Sequence, residues 1–239
     1  MPYLSIIIPG YNEEKRLPET LKKVEGFVRS QKYKTEVIVV DDGSTDATVS
    51  IARNFSKQFP ELRVIENSQN KGKGMVVRQG MLAATGEYRL FMDADSSSPV
   101  TSVETLLKNV SEYDVVIGSR YIELGSIKVK QPLTRRIISR GSNWLIQRTI
   151  LPGIKDTQCG FKLFSAVAAE KIFKRQSMTG WSFDFEILTI ARELGYSIKE
   201  VAVPWSDSKN SNLRAFKATT HSLKDLLKIF LKVKSHRYR

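Results

Sequence analysis

Two short apolar runs, residues 4–8 (LSIII) and 36–40 (EVIVV), constrain this chain more than any other feature. Each is too short for a helix and carries almost no polar position, the pattern of a strand covered on both faces rather than on one. Between them Leu17, Leu21, Val24 and Val28 recur at three- and four-residue spacing, so residues 13–30 read as a helix with Pro18 tolerated in its first turn. The alternation continues. A turn at 41–46 caps a helix starting near Ala47, residues 62–65 read as a third strand, 74–84 as a helix, 88–92 as a fourth strand and 115–120 as a fifth. Helices are expected over about 166–174 and 182–194, and a last strand over 198–204. Strands this apolar, alternating with helices, specify an α/β fold: a mostly parallel sheet with helices on both faces. Ligands of such folds sit at the carboxyl ends of the strands.

That rule makes the residues just past each strand informative. Tyr11-Asn12-Glu13 follow the first strand, Asp41-Asp42 the second and Asp93-Ala94-Asp95 the fourth. Two carboxylates one residue apart at the end of a buried strand raise each other's cost of ionisation. A divalent cation shared with substrate phosphates removes that cost, while a turn or helix cap is the alternative use of such residues. One of Asp41 and Asp42 suits a ribose hydroxyl or a base N–H, leaving Ser44 or Asp46 to cap the next helix. In residues 70–74, NKGKG, two glycines free the backbone, and Lys71 and Lys73 bring charge ahead of a helix N-terminus, a setting for a diphosphate.

Other chemistries find less support. The patterns GxxxxGK[ST], HExxH, GxSxG and CxxC are absent and both histidines fall in the basic C-terminal segment, which disfavours P-loop, zinc and serine-hydrolase chemistry. Cys159 has no histidine near it in sequence and reads as a packing residue; a single thiol forms no internal disulfide and fits a reducing compartment. The net charge of +13 is local rather than global. Residues 120–155 hold eight lysines and arginines against Glu123 alone, residues 209–239 hold nine against Asp225, and the rest of the chain is close to neutral. Neither segment carries a nucleic-acid recognition motif, so no nucleic acid is expected as a partner.

The motifs SIIIPGYNEE (5–14), VVDDGS (39–44), NKGKG (70–74), DAD (93–95), GSR (118–120) and DTQCGFK (156–162) occur in an order that resembles the family 2 glycosyltransferases of GT-A fold, with similarity over residues 4–205. Within them the chain looks most like the dolichyl-phosphate (polyprenyl-phosphate) β-glucosyltransferases, close to the dolichyl-phosphate mannose synthases. The resemblance implies an inverting transfer of one hexose from a nucleotide sugar to a polyprenyl or dolichyl phosphate. UDP-glucose is the expected donor, with GDP-mannose, or a non-lipid saccharide or protein acceptor, as alternatives. It also implies a GT-A catalytic domain over 1–208 followed by a basic C-terminal helix over 209–239. By matching positions, Pro9, Tyr11, Glu13, Val40 and Asp42 would contact the nucleotide, with Lys73 and Ala94 in the same donor-binding set. Asp93 and Asp95 would hold Mg2+ or Mn2+ and the diphosphate, and Arg120 and Arg135 would gather phosphates at the reaction centre. Asp156 would orient the acceptor or act as base; Asp184 and Glu186 would line the site or form an ion pair at a helix start. Ser97 stands where the mannose synthases carry a glutamine.

A polyprenyl substrate stays in the bilayer, so the protein must come to it. No run of about 18 apolar residues occurs, and peripheral contact with the cytoplasmic face of a membrane is the expectation. Two segments suit it: 120–155, where Trp144 and aliphatics interleave with arginines, and the tail, where Leu223, Leu226, Leu227, Phe230 and Leu231 form a stripe opposite Lys224, Lys228 and Lys232. Packing of that stripe on the protein body is the alternative.

Overall fold

The computed structural model describes residues 1–122, 141, 145–206 and 215–238, with side chains described from 224 onward in the last group. Arg135, Trp144, the basic cluster at 128–140 and Lys209 to Arg214 lie outside the described residues.

The expected alternation is present. β1 (Leu4–Gly10), α1 (Leu17–Ser30), β2 (Thr35–Asp41), α2 (Thr48–Ser56), β3 (Leu62–Glu66), α3 (Lys73–Ala83) and β4 (Tyr88–Met92) follow in turn. β2 pairs in parallel with both β1 and β3, and β4 pairs in parallel with the other edge of β1. The strand order therefore reverses at β1, which opens a crevice beyond the ends of β1 and β4, the position where such sheets bind ligands. Ile6, Ile8, Val37, Val39, Leu90 and Met92 face one core with α1 and α2, while Ile7, Ile38, Val40 and Phe91 face the other with α3. Strict period-two alternation with both sets buried is why these runs are apolar throughout.

The second half departs from a simple repeat. α4 (Val103–Leu107) leads to β5 (Val115–Ser119), and then β6 (Phe161–Ser165), α5 (Ala166–Arg175), α6 (Phe183–Glu193) and β7 (Ile198–Ala202) complete a seven-stranded sheet of order β3-β2-β1-β4-β6-β5-β7. β6 runs antiparallel to both β4 and β5. No strand is expected from the sequence over residues 161–165, because Lys162, fully buried in mid-strand, interrupts the apolar run. The direction of β6 matters for the site. Because it is antiparallel, the residues that precede it, rather than those that follow it, reach the rim that carries Asp93.

α7 (Ala215–Lys234) packs on the same face as α5 and α6. Leu226, Ile229 and Tyr238 are buried there, each of the two aliphatic side chains stabilising the contact by about 1.5–3 kcal/mol. Leu227 and Leu231 point outward, 59% and 56% exposed, beside exposed Lys224, Lys228 and Lys234. The stripe read from the sequence is thus divided: its Leu226 side meets the body and its Leu227–Leu231 side meets solvent. Among the described residues no helix is long and apolar enough to cross a membrane.

Candidate active site

Asp93 emerges from β4 against the start of β6, where its N–H donates to the Gly160 carbonyl at 3.1 Å. Its carboxylate lies over Gly160 so closely that a Cβ there would stand 2.1 Å from Oδ2, so glycine is required for the approach. Lys73 Nζ, from the first turn of α3, forms an ion pair with Asp93 Oδ1 at 2.7 Å, without the alignment of a directed hydrogen bond. The half-exposed Trp181 ring covers that ammonium, its centroid 4.6 Å from Nζ. Burial raises the Asp93 carboxyl above its ordinary range and Asp95 and Asp184 add to the rise, against the opposing charge of Lys73. Burial likewise opposes the Lys73 ammonium, but Asp93, then Asp184 and Asp95, outweigh it and raise its pKa. Asp95 Oδ1 accepts from Ser97 N at 3.0 Å.

Around this pair the other strand ends contribute. Glu13 accepts two bonds of 2.6 Å from Arg16, and burial, with the charges of Asp95 and Asp93, raises its pKa. Asp41 is spent on its own turn, accepting from the N–H groups of Gly43 and Ser44 and from the Ser44 hydroxyl. Asp46 binds Thr48 and Glu14 N. Asp42 reaches across to the 70–74 loop and accepts from Lys71 N at 2.6 Å and Gly72 N at 3.0 Å. The loop in turn packs on residues 178–180, with Gly74 N donating to Thr179 O at 2.7 Å. Added Cβ atoms at Gly72 and Gly74 would lie 2.5 Å and 2.4 Å from Thr179 O and Met178 O.

A second ion pair closes the other end of the rim. Arg120, just past β5, donates through Nε and Nη2 to the two oxygens of Asp156 at 2.7 Å and 2.8 Å, and its backbone N–H adds a third bond. The guanidinium lies 5.4 Å and 5.5 Å from the Trp205 and Tyr121 ring centroids. Burial alone would raise the Asp156 carboxyl; the charge and hydrogen bonds of Arg120 outweigh it and hold it below the usual range. Glu200 fixes the backbone beneath by accepting from Lys155 N and Asp156 N. Asp156 is therefore committed to holding Arg120.

The structure brings Pro9, Glu13, Asp42, Lys73, Asp93, Ala94, Asp95, Arg120 and Asp156 to one rim, with Tyr11 on its outer edge, 46% exposed. Val40 sits lower, its side chain in the core. Asp184 pairs with the fully buried Lys162 at the floor, whereas Glu186 turns away toward Ser177 and Tyr238. Gly160 and Lys162 stand in the DTQCGFK motif with no role read for either, and Trp181, Trp205 and Glu200 carry no expectation from the sequence; a lysine inside an otherwise apolar segment is the available signal. Cys159 is 2% exposed and burial, with Asp156, pushes its thiol up to about 12, consistent with a packing role.

Two adjacent carboxylates on a strand end are hard oxygen donors suited to a divalent ion, and Asp93 Oδ1 is buried without a directed hydrogen bond. Among the described residues no three acidic, histidine or cysteine side chains form a closed metal cage. The two carboxylates fit a hard divalent ion that draws further oxygen ligands from outside the protein.

Comparison with known proteins agrees with this architecture. The chain is 35% identical to the dolichyl-phosphate beta-glucosyltransferase of Dictyostelium discoideum, over 95% of this chain and 73% of that protein. It is 36% identical to the Homo sapiens protein of the same name over 96% and 75%, and 35% identical to that of Saccharomyces cerevisiae over 94% and 73%. The fold superimposes on glucosyl-3-phosphoglycerate synthase from Mycobacterium tuberculosis, solved with Mn2+, UDP and glucosyl-3-phosphoglycerate, with a TM-score of 0.70 and 17% identity over 95% of this chain and 80% of the other. The family model described as glycosyl transferase family 2 matches residues 5–173. With the GT-A sheet, the switch-point crevice and the DAD rim in place, the chain belongs to glycosyl transferase family 2.

Proposed function

We propose that the protein transfers glucose from UDP-glucose to the phosphate of dolichyl or a related polyprenyl phosphate, with inversion, at the cytoplasmic face of a membrane. The observation that carries this reading is the acidic rim at β4, where Asp93 and Asp95 stand beside Lys73 at the switch point of the sheet. The names of the relatives at 35–36% identity support the sugar and the acceptor. An α-linked nucleotide donor giving a β-linked product requires attack from the face opposite the leaving group.

The chain's own groups suit that reaction. Pro9, Tyr11, Glu13 and Asp42 border the nucleotide, with Val40 in the core below; Lys73 and the Ala94 backbone border the diphosphate. Asp93 and Asp95 would hold Mg2+ or Mn2+ with the diphosphate oxygens, and the ion, when bound, supplies positive charge to the departing nucleoside diphosphate. A phosphate monoester is already anionic at neutral pH, its second pKa being about 6, so the acceptor oxygen attacks the anomeric carbon without a strong general base. The role left for the protein is electrostatic: Arg120, fixed by Asp156, and Arg135 gather the acceptor phosphate. Asp156 is a positioning residue in this scheme.

The outward face of α7 fits the lipid side of the reading. Leu227 and Leu231, flanked by Lys224, Lys228 and Lys234, present apolar and cationic groups together, and each lysine near an anionic leaflet adds about 1 kcal/mol. Flotation with phosphatidylserine-containing vesicles tests this: L227S/L231S is expected to lose binding without loss of fold, and undiminished binding removes α7 from the membrane contact. For the reaction itself, the full chain is incubated with Mn2+, dolichyl phosphate and radiolabelled UDP-glucose or GDP-mannose. Label from UDP-glucose is expected in the organic phase; label confined to water-soluble product, or taken only from GDP-mannose, rejects the proposal.

A further inference from the structure

We infer that Glu186 is a positioning residue for the donor site, held in place by Lys232 in the last turn of α7 and by Tyr238 just beyond it; this rests on the reading of the 70–74 loop as part of the donor site. Glu186 is fully buried in α6, a costly place for a carboxylate unless it is well satisfied. Its oxygens accept from Ser177 N at 3.0 Å, Ser177 Oγ at 2.5 Å, Met178 N at 2.7 Å and Tyr238 OH at 2.9 Å. Lys232 Nζ stands 3.8 Å away and also donates to Ser177 Oγ. One carboxylate thus joins the 177–178 segment to the last turn of the tail. Tyr238 is only 2% exposed, so this is a seated contact rather than a surface one.

The segment that Glu186 grips is the one on which the donor loop rests. Gln176 Nε2 donates to Gly74 O at 2.7 Å and to Met178 O at 3.0 Å, and Thr179 O accepts from Gly74 N at 2.7 Å. Trp181, three residues beyond Met178, lies over Lys73, which is paired with Asp93. A continuous chain of contacts runs from Tyr238 through Glu186, the 177–179 backbone and Gly74 to Lys73. Seating of the tail and orientation of Lys73 therefore share one equilibrium. Loosening the tail lowers the fraction of molecules with Lys73 and Trp181 in place, and the apparent donor affinity falls by that fraction. The acceptor end of the rim, held separately by Arg120 and Asp156, is unaffected.

The test uses the full chain, Y238F and S177A, each of which keeps the packing while removing one hydroxyl, and the double variant, which removes both. The affinity for UDP with Mn2+ is measured by calorimetry, and KM for UDP-glucose, KM for dolichyl phosphate and kcat by transfer assay. Each single variant is expected to weaken UDP binding and raise the donor KM at least about 5-fold, with kcat and the acceptor KM within about 2-fold of the parent. The double variant is expected to fall short of the product of the two single effects, since both act through one carboxylate. Unchanged donor affinity, a parallel decline in donor and acceptor parameters, or fully multiplicative effects would each overturn the inference. Failure of the unsubstituted chain to bind UDP would overturn this inference together with the donor-site reading, whereas unchanged binding in Y238F overturns this inference alone.

Discussion

Lys73–Asp93 and Arg120–Asp156 are both cation–carboxylate pairs on the carboxyl rim of one sheet, yet their surroundings differ. Asp156 is 1% exposed at its side chain, takes both arms of a planar guanidinium and has aromatic rings around its partner. Asp93 keeps 32% of its side chain exposed and meets one ammonium on a flexible stem, in the field of Asp95 and Asp184. One pair holds its carboxyl below the usual range and the other leaves it above. The contrast separates two tasks. A bidentate, enclosed pair fixes a guanidinium in place, whereas a monodentate pair beside further carboxylates is able to exchange its lysine contact for an incoming cation and diphosphate.

The largest test of this contrast lies at the exchangeable end. Asp95→Ala is expected to lower kcat about 100- to 1000-fold, the range lost when a group stabilising transition-state charge is removed, with the thermal unfolding midpoint nearly unchanged. Full activity in that variant would detach the acidic rim from the chemistry. At the fixed end the expected order is reversed. Asp156→Asn leaves the Arg120 charge poorly compensated in a buried site and is expected to cost about 3–5 kcal/mol of stability in urea titrations at pH 7. Because its carboxyl is held below the ordinary value of about 3.9, the stabilisation is complete above that pH and is lost as pH falls through it toward the depressed folded pKa. The difference between parent and Asp156→Asn should therefore shrink in titrations near pH 3; an undiminished gap would place the stabilisation elsewhere.

A third test sharpens the electrostatic difference. Asp93 is raised rather than lowered, so a cation there competes with a proton to a higher pH than at an ordinary carboxylate, and the Mn2+ affinity of the UDP complex is expected to climb as pH rises just above the ordinary carboxylate range. A flat calorimetric profile across that window would mean that Asp93 does not bear on the ion. The smallest effect is expected at Trp181, whose ring over Lys73 is worth about 0.5–2 kcal/mol. Trp181→Leu should raise the donor KM several-fold in steady-state assays, and should leave the acceptor KM at the Arg120 end unchanged.

Much of this was legible from residue order. Runs such as 36–40 and 88–92 report strands buried on two faces because each inward position, odd or even, meets an apolar layer. From that alternation the parallel first half, and the convergence of Tyr11 to Glu13, Asp42 and Asp93 to Asp95 on one rim, follow directly. The second half was less legible. β6 carries a buried lysine whose counter-ion, Asp184, lies 22 residues away on α6, a compensation that no local pattern contains. Its reversed direction, set by pairing with β4 and β5, is what carries Asp156 and Gly160 to the rim.

The sequence by itself determined the strand and helix alternation, the acidic and glycine-rich turns, and the basic character of the tail, because periodicity and turn chemistry are local. Only the tertiary structure decided which carboxylates serve the rim and which are spent elsewhere. Asp41 closes its own turn, Asp156 holds Arg120, and Glu186 ties the tail to the 177–178 segment. The physical reason is that a carboxylate's role is set by the donors that reach it, and here several of those donors come from segments distant in sequence.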